Sequence, residues 1–454
     1  MDQDQGLNWN KAGLSQANKE RTDRIIRGFT EDNPFGEHIK SRRANVNARA
    51  QKFQDKAYSI TKREIDAATS AFDSNVLSEW QHEAASTPTR WYFLVDMDAY
   101  FASVEVKKKP ELANESFAVT VQNSVISTSN YKARRYGVRP GLATHIAQAL
   151  CPGLVLVDPD FEAYKRESEE TRKVFAEFDP DFTALSLDEA LLDVTDLVEK
   201  EFKQRGSDSS NPEDHVNIVE VLASDLRARM FEVTGLTCSV GASTVPLIAK
   251  ILADHNKPNG QAIIPPGRRA ARSYIASLPI RKILGVGSAT ADLFAQPPFN
   301  VKTCKQLIDR RGLIYLIGYP SMLNIIKDAM CLNPSFGFTS NEEAKSIGNE
   351  RTFAATSSRG LIVAEVIALV DKVWERMVAD EVHANLLTMR LKTSSFKNKT
   401  KGYDTPEVID SREKLEKYAI ETLDKMLKSI DFVEGGNKIS IRLVGVRVSS
   451  FVKS

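Results

Sequence analysis

The sequence predicts an α+β protein of several domains, and three observations lead there. Strand-like and helix-like segments mix between residues 91 and 264, a mainly helical stretch follows to about Leu332, and the residues after Ser340 read strand, helix, strand, strand, helix, strand. At roughly 100–200 residues per domain, a chain of 454 residues has room for roughly two to four cores. Hydrophobic residues at 42% and charged residues at 27% exclude wholesale disorder, collagen and fibre. Lys and Arg number 61 against 60 Asp and Glu, a formal charge of +1, so attraction to nucleic acid has to come from local patches.

Taken in order, residues 1–86 are polar and helix-prone, with a basic run from Ser41 to Lys52 and sparse apolar residues at helical spacing from Ile60 to Leu77. Such a segment can hardly bury a core alone. It is a solvated tail or an arm that wraps another domain or a duplex. Thr87-Pro88-Thr89 reads as a linker. Tyr92 to Val95 is a short apolar run, a buried strand, which ends at Asp96-Met97-Asp98 and precedes a helix opening at Tyr100. Phe182–Ser186 and Leu191–Val194 form two strands with Leu187-Asp188-Glu189 at the tip between them. Gly206–Pro212 is a surface loop. A helix (Ile218–Phe231), a strand (Thr237–Ala242), a helix (Pro246–His255) and a strand (Gln261–Ile264) follow.

Beyond Pro265-Pro266-Gly267, Leu278-Pro279-Ile280 and Gly285-Val286-Gly287 punctuate short helices, and Asn333 to Ser340 is a second linker. Ile362, Val366, Val370, Val373 and Met377 mark one face of a helix, and a second helix runs from Ser411 to about Ser429. In the last strand Ile439, Ile441 and Leu443 share one parity and Val446 and Val448 the other. The slip predicts a β-bulge at Val444-Gly445 that puts Arg442 and Arg447 on one polar face. Leu387, Met389 and Leu391 alternate with Thr388, Arg390 and Lys392. An Arg- and Lys-bearing sheet face suits a phosphate backbone, or is an ordinary solvated surface.

Cys151, Cys238, Cys304 and Cys331 make no C-x-x-C pair, which argues against a zinc ribbon or a disulfide framework and for a reducing compartment. The acidic, polar start is no secretory signal, and no apolar run approaches the ~20 residues of a membrane span. A soluble intracellular chain with no membrane partner is expected.

Asp96 at a strand end and Asp188-Glu189 at a hairpin tip would repel one another without a cation. Oxygen-rich, histidine-poor clusters suit Mg²⁺, and two ions about 3.5–4 Å apart can serve an in-line phosphoryl displacement. Taken alone, an Asp-Glu pair after a strand is more often an ordinary turn or helix cap. Within Ser127 to Arg139, helical spacing puts Thr128, Tyr131 and Arg134 at i, i+3 and i+6, able to meet a triphosphate with two hydroxyls and a guanidinium. Lys257, in Asn256-Lys257-Pro258-Asn259-Gly260, answers a helix dipole or reaches a phosphate. Neither a P-loop nor a dinucleotide-binding glycine motif is present.

Asp96-Met97-Asp98-Ala99-Tyr100-Phe101-Ala102-Ser103-Val104-Glu105 resembles the first catalytic motif of the Y-family translesion DNA polymerases. Ser127–Arg139 resembles their fingers motif, Ser186-Leu187-Asp188-Glu189-Ala190 their second carboxylate motif, and Ser239–Ala242 with Asn256–Gln261 their last palm elements. The match is to the DinB/kappa branch. Asn10-Lys11-Ala12-Gly13-Leu14 and the arm after it are similar to the kappa-type clasp, and Gly445–Phe451 to the closing strand.

The resemblance implies a right-hand polymerase: an N-terminal helical clasp (1–88), a palm (89–267) with fingers inserted at about 99–160, a helical thumb (268–337), a linker (338–348) and a little finger of ferredoxin-like topology (349–454). It implies Asp96, Asp188 and Glu189 as catalytic and metal-binding carboxylates, with the Met97 carbonyl as a further ligand to two Mg²⁺, Mn²⁺ able to substitute. Tyr100, Phe101, Thr128, Tyr131, Arg134 and Lys257 would meet the dNTP, with Phe101 as the steric gate against a ribose hydroxyl. Here Tyr100-Phe101 replaces the Phe-Tyr of vertebrate kappa enzymes, so the gate is a Phe as in DinB proteins. Val125 and Gly141 would roof the nascent base pair. Gly285 and Gly287, resembling a helix-hairpin-helix anion nest, and Arg390, Lys392, Arg442 and Arg447 would bind primer-template DNA.

The implied activity is low-fidelity nucleotide addition past damaged template bases, without proofreading, in the nucleus. A sliding clamp or other translesion factors would be met through tail regions that relatives carry. Palm sheets with two metals also serve nucleotidyl cyclases, and a DNA-binding scaffold without catalysis is a further alternative. The open basic sheet argues against the first and the intact carboxylates against the second.

Overall fold

A computed structural model describes residues 12–86, 90–121, 124–205, 211–333, 344–430 and 439–453, with the side chains of 77–86 and 453 outside the description. Asn10, Lys11 and most of the expected second linker thus lie outside the described residues. The chain divides into two compact units, residues 1–29 with 42–340 and residues 30–41 with 341–454.

In the first unit the strands are β1 (Tyr92–Met97), β2 (Phe117–Val121), β3 (Val125–Ser129), β4 (Val155–Val157), β5 (Thr183–Ala184), β6 (Glu189–Asp193), β7 (Cys238–Ser243) and β8 (Gln261–Ile263). A five-stranded sheet runs β5-β6-β1-β7-β8, with β1 antiparallel to both neighbours. Its pleat sorts the apolar run of β1. Phe93, Val95 and Met97 enter a core with the helices Phe161–Phe178 and Pro212–Thr234, whereas Leu94 meets Ala249 and Ala253 of the helix Pro246–Ala253 on the other face. That helix can lie close because of Gly241, where a Cβ would stand 2.0 Å from the Ala249 carbonyl oxygen.

The helix expected at Ile218–Phe231 begins earlier, at Pro212. Asn211 caps it by accepting from the Glu213 amide, and Pro212 occupies a first-turn site where its missing N–H costs nothing. The smaller sheet, β3-β2-β4, has its own core of Ala118, Ile126, Val138, Ile146 and Leu150.

The N-terminal arm forms helices Lys19–Thr30, Pro34–Ala57 and Lys62–Ser86, and its apolar residues complete the cores of other elements. Ile26 joins the core of the smaller sheet. Val46, Ala50, Phe53 and Phe72 join the core of the helices between Arg268 and Ala329. Arg311 clasps Asp73 with two hydrogen bonds of 2.7 and 2.5 Å. Gly312 lets two helices touch, since a Cβ there would lie 2.1 Å from Thr69 Oγ1 and 2.5 Å from the Ile65 carbonyl. Gly312→Ala should therefore cost about 1–3 kcal/mol of stability through overpacking. The check is a lower denaturation midpoint at unchanged denaturant slope.

The second unit reads β9 (Ser346–Thr356), helix Arg359–Ala379, β10 (Val382–Thr393), β11 (Asn398–Ile409), helix Arg412–Lys428, β12 (Ile441–Lys453), the order read from the sequence. The sheet is antiparallel throughout, ordered β11-β10-β12-β9. Each helix joins two parallel strands with another strand between them, the split βαβ arrangement, with β10 and β12 central. Leu387, Met389 and Leu391 point into the helical core, and Thr388, Arg390 and Lys392 to the open face.

The bulge in β12 is not at Gly445. Against β10 the register skips between Ile441 and Leu443, so the extra residue there is Arg442, whereas against β9 the extra residues, 353–355, lie on β9; Val444, Val446 and Val448 share the core face with Ile441. Leu443 pairs with Lys392 on the open face yet is buried at 2% exposure, and its burial there is what misled the parity reading.

Candidate functional site

The first strand delivers Asp96 to the end of the five-stranded sheet. Register places Asp96 directly opposite Glu189 on one side and Ser239 on the other. Facing residues of an antiparallel pair lie about 5 Å apart, so two carboxylates meet across the β1–β6 ladder. Asp188 is held beside them by its carbonyl, which accepts from the Met97 amide at 2.9 Å, while Ser186 Oγ donates to its carboxylate at 2.6 Å and accepts from its amide at 3.3 Å. The sequence-predicted carboxylates, distant along the chain, are brought together at the ends of two inner strands.

Two ammonium groups counter that negative charge. Lys257, buried, pairs with Asp96, and its Nζ lies 3.8 Å from Asp254. Lys250 pairs with Glu189. Burial pushes the Asp96 carboxyl up to about 7, against the pull of Lys257, and the charges of Glu189 and Asp188 add to the rise. For Lys257, burial alone would lower the pKa, but Asp96 and Asp254 outweigh it and the net shift is upward. With the carboxylates turned to the lysines, no three Asp, Glu, His or Cys side chains among the described residues form a ready-made ligand set. The donors themselves are hard oxygens, without His or Cys, which is the chemistry a Mg²⁺-type ion takes.

A second carboxylate of the first motif organises the surroundings. Asp98, buried at 2% exposure, accepts from Ser239 Oγ at 2.8 Å and from the Asn259 amide at 2.7 Å. It thereby ties the turn after β1 to β7 and to the loop carrying Lys257. Arg227 braces the same loop through Gln261 Oε1 at 2.9 Å and Asn259 Oδ1 at 2.8 Å.

Tyr131 and Arg134 occupy a short helix, Tyr131–Arg134, capped by Asn130, whose side chain accepts from the Ala133 amide at 3.0 Å. Thr128 is not on that helix. It belongs to β3, because the Asn130 cap starts the helix at Tyr131 and leaves 125–129 extended. The i, i+3, i+6 relation therefore fails for Thr128 and holds for Tyr131 and Arg134 alone. The Arg134 guanidinium lies 4.6 Å from the Tyr131 ring centroid. The buried Tyr131 hydroxyl has no hydrogen-bond partner among the described residues, and burial first, then the charge of Asp98, pushes its pKa up to about 12. A buried donor left without a partner costs stability unless a ligand or water satisfies it.

Phe101 stacks on Tyr164 with centroids 4.2 Å apart and planes at 10°, and Phe161 closes on its edge at 5.9 Å. Tyr164 is itself fixed: its carbonyl accepts from Tyr100 Oη at 2.6 Å and its hydroxyl donates to buried Glu105 at 2.7 Å. Val125 opens β3 with 47% of its surface exposed, and Gly141, at φ +87°, has nothing within 4 Å of where a Cβ would stand.

Gly285, at φ +82°, and Gly287 form the turn before the helix Ser288–Ala295, but the Val286 and Gly287 amides donate within the turn, to the Ile283 and Gly285 carbonyls. In the second unit the open sheet face carries a cavity of about 490 Å³ bordered by Gly348, Glu350, Thr388, Arg390, Gly445 and Arg447. Arg390 pairs with Glu350 at 2.9 Å, Arg442 lies 4.1 Å over the Phe396 ring, and Arg447 is exposed. Burial, then the neighbouring charges of Arg390 and Arg442, lower the pKa of Lys392, which places these cations in one patch.

Sequence reasoning missed Lys250, Tyr164 and the organising role of Asp98. Phe161 and Tyr164, three apart after the Asp160 cap, carried a legible aromatic signal. Lys250 carried none, because its place depends on how closely the helix Pro246–Ala253 approaches the sheet.

A family model described as impB/mucB/samB family matches residues 95–254, and one described as impB/mucB/samB family C-terminal domain matches residues 344–454. DNA polymerase kappa of Arabidopsis thaliana is 30% identical over 446 residues, 98% of this chain and 62% of that protein. Its human counterpart is 28% identical over 507 residues, 98% of this chain and 57% of that protein. The chain thus spans less than two thirds of the length of these relatives. DNA polymerase IV 2 of Agrobacterium fabrum is 31% identical over 369 residues, 78% of this chain and 93% of that protein. Among solved structures, a Y-family DNA polymerase chimera of Dbh and Dpo4 shares the fold with a TM-score of 0.66 at 21% identity, covering 80% of this chain and 100% of the other.

Proposed function

The chain belongs to the impB/mucB/samB family, the Y-family DNA polymerases, in its DinB/kappa branch, and from that premise we propose that it adds deoxynucleotides to a primer 3′-hydroxyl opposite damaged template bases, without proofreading. The observation that carries the reading is the meeting of Asp96 and Glu189 across the β1–β6 ladder with Asp188 beside them.

Asp96, Asp188, Glu189 and the Met97 carbonyl would hold two Mg²⁺, or Mn²⁺ in their place. Such ions, when bound, lower the pKa of the attacking hydroxyl and neutralise the charge of the triphosphate. The protein supplies positioning. Lys257, released from Asp96, reaches the triphosphate with Tyr131 and Arg134, and Thr128 offers a hydroxyl from the strand edge. Lys250 keeps Glu189 from repelling Asp96 until that charge is needed. Phe101, with Tyr100 anchoring its stacking partner, bars a 2′-hydroxyl by bulk. Val125 and Gly141 leave the base-pair roof low and open.

In this reading the domains are those expected: clasp, palm with fingers, thumb and little finger. Arg390, Lys392, Arg442 and Arg447 hold the phosphate backbone of primer-template DNA. The Gly285–Gly287 corner meets it through the first-turn amides of the following helix, since the turn's own amides are engaged. A nuclear location and contact with a sliding clamp belong to the same proposal. No helix of the described residues is long and apolar enough to cross a membrane.

The test is extension of a labelled primer on a templated duplex with Mg²⁺ and single dNTPs. Addition of the complementary nucleotide supports the reading. DNA binding without addition, or a cyclic nucleotide product, would overturn it.

A further inference from the structure

We propose that Ala12-Gly13-Leu14 is a strap that forms one wall of the nucleotide pocket and holds Tyr131 and Arg134 in the pose that receives a triphosphate. The inference rests on the nucleotide-site reading of those two residues and adds a part of the chain remote from every catalytic motif.

Arg134 is gripped from two directions. Its Nε donates to the Ser129 carbonyl at 3.1 Å, and its Nη1 donates to the Ala12 carbonyl, also at 3.1 Å, across 122 positions of sequence. A guanidinium is planar, so two carbonyls on different edges fix its plane and aim the remaining N–H donors. Tyr131, 4.6 Å below as a ring centroid, completes the sandwich.

Gly13 is the residue that makes this approach possible. Its φ of +82° lies in the left-handed region, and a Cβ there would stand 2.8 Å from Tyr131 Cδ1 and 3.1 Å from Arg134 Cδ. Glycine is thus required twice, for the turn of the backbone and for contact with the ring. The strap is also tied down on its far side. Leu14 is buried at 1% exposure. In the helix that follows, Thr22 fills the space over Gly137, where a Cβ would meet its Oγ1 at 2.7 Å, and Arg21 Nη1 donates to the Leu150 carbonyl at 3.1 Å.

The strap's residues are positioning residues: they act through Arg134 and Tyr131. Gly13→Ala should raise KM for the incoming dNTP about tenfold, the equivalent of one hydrogen bond to a charged group, with the loss carried by KM more than by kcat. Primer-template affinity should stay unchanged. In an Arg134→Ala background, Gly13→Ala should add nothing further, because the strap works through that guanidinium. Unchanged KM in Gly13→Ala, or a penalty that simply adds to that of Arg134→Ala, would overturn the strap. Unchanged KM in Arg134→Ala alone would instead overturn the nucleotide-site reading. On the unaltered protein, amide exchange across residues 12–18 should slow when dNTP joins the primer-template complex. Equal exchange with and without dNTP counts against the strap even if Gly13→Ala fails to fold.

Discussion

Asp188→Ala stops nucleotide addition: single-turnover rates on a primed template fall at least about a thousandfold, the scale expected when preorganised charge is removed from a phosphoryl-transfer site. The substitution is clean because Asp188 is fastened lightly. Its side chain meets only the Ser186 hydroxyl among the contacts described, and the backbone bond from Met97 to its carbonyl survives the change. Primer-template affinity and thermal midpoint should stay near those of the unaltered chain, since the basic residues assigned to DNA lie elsewhere. Rate measurements with matched dNTP and a parallel binding titration check both halves. Retention of more than a tenth of the rate would remove Asp188 from the metal site.

Phe101→Ala opens the site to ribonucleotides. Discrimination between dNTP and rNTP should fall about a hundredfold or more, measured as the ratio of kcat/KM values, because a pocket that rejects a hydroxyl by bulk loses the bulk. The magnitude follows from how firmly the ring is held. Parallel stacking on Tyr164 at 4.2 Å and the edge of Phe161 at 5.9 Å leave Phe101 little freedom to move aside. Tyr164 is pinned in turn by Tyr100 and Glu105. Addition of dNTP should persist, since none of the carboxylates touches the ring in the contacts described. An unaltered dNTP preference would take the gate away from Phe101.

Much of the site was legible because short-range chemistry determines it. An apolar run long enough for one buried strand, ending in acids, puts Asp96 at the end of that strand whatever lies around it. A turn between two flanking strand segments follows from the sequence, but it occupies Ser186–Asp188, and Glu189, expected at its tip, instead opens β6. Errors arose where a local signal was outweighed by something farther away. Thr128 is a local exception: spacing alone puts it on a helix, but the neighbouring Asn130 cap starts that helix later. Parity alone groups Leu443 with Ile441 and so moves the bulge from Arg442 to Gly445, although Leu443 is buried on the open face beside Lys392. The N-terminal arm showed helical spacing without showing where its apolar residues go, since Ile26, Phe53 and Phe72 are buried in cores built by other segments. Lys250 depends on the close helix–strand approach at Gly241, a tertiary event with no periodicity of its own.

The most direct measurement is an anomalous-scattering map of crystals grown with primer-template, a non-hydrolysable dNTP and Mn²⁺. The account predicts two peaks bounded by Asp96, the Met97 carbonyl, Asp188 and Glu189, with Lys257 withdrawn from Asp96 toward the phosphates. Metal density that avoids these residues, with Lys257 and Lys250 still paired to Asp96 and Glu189, would contradict it.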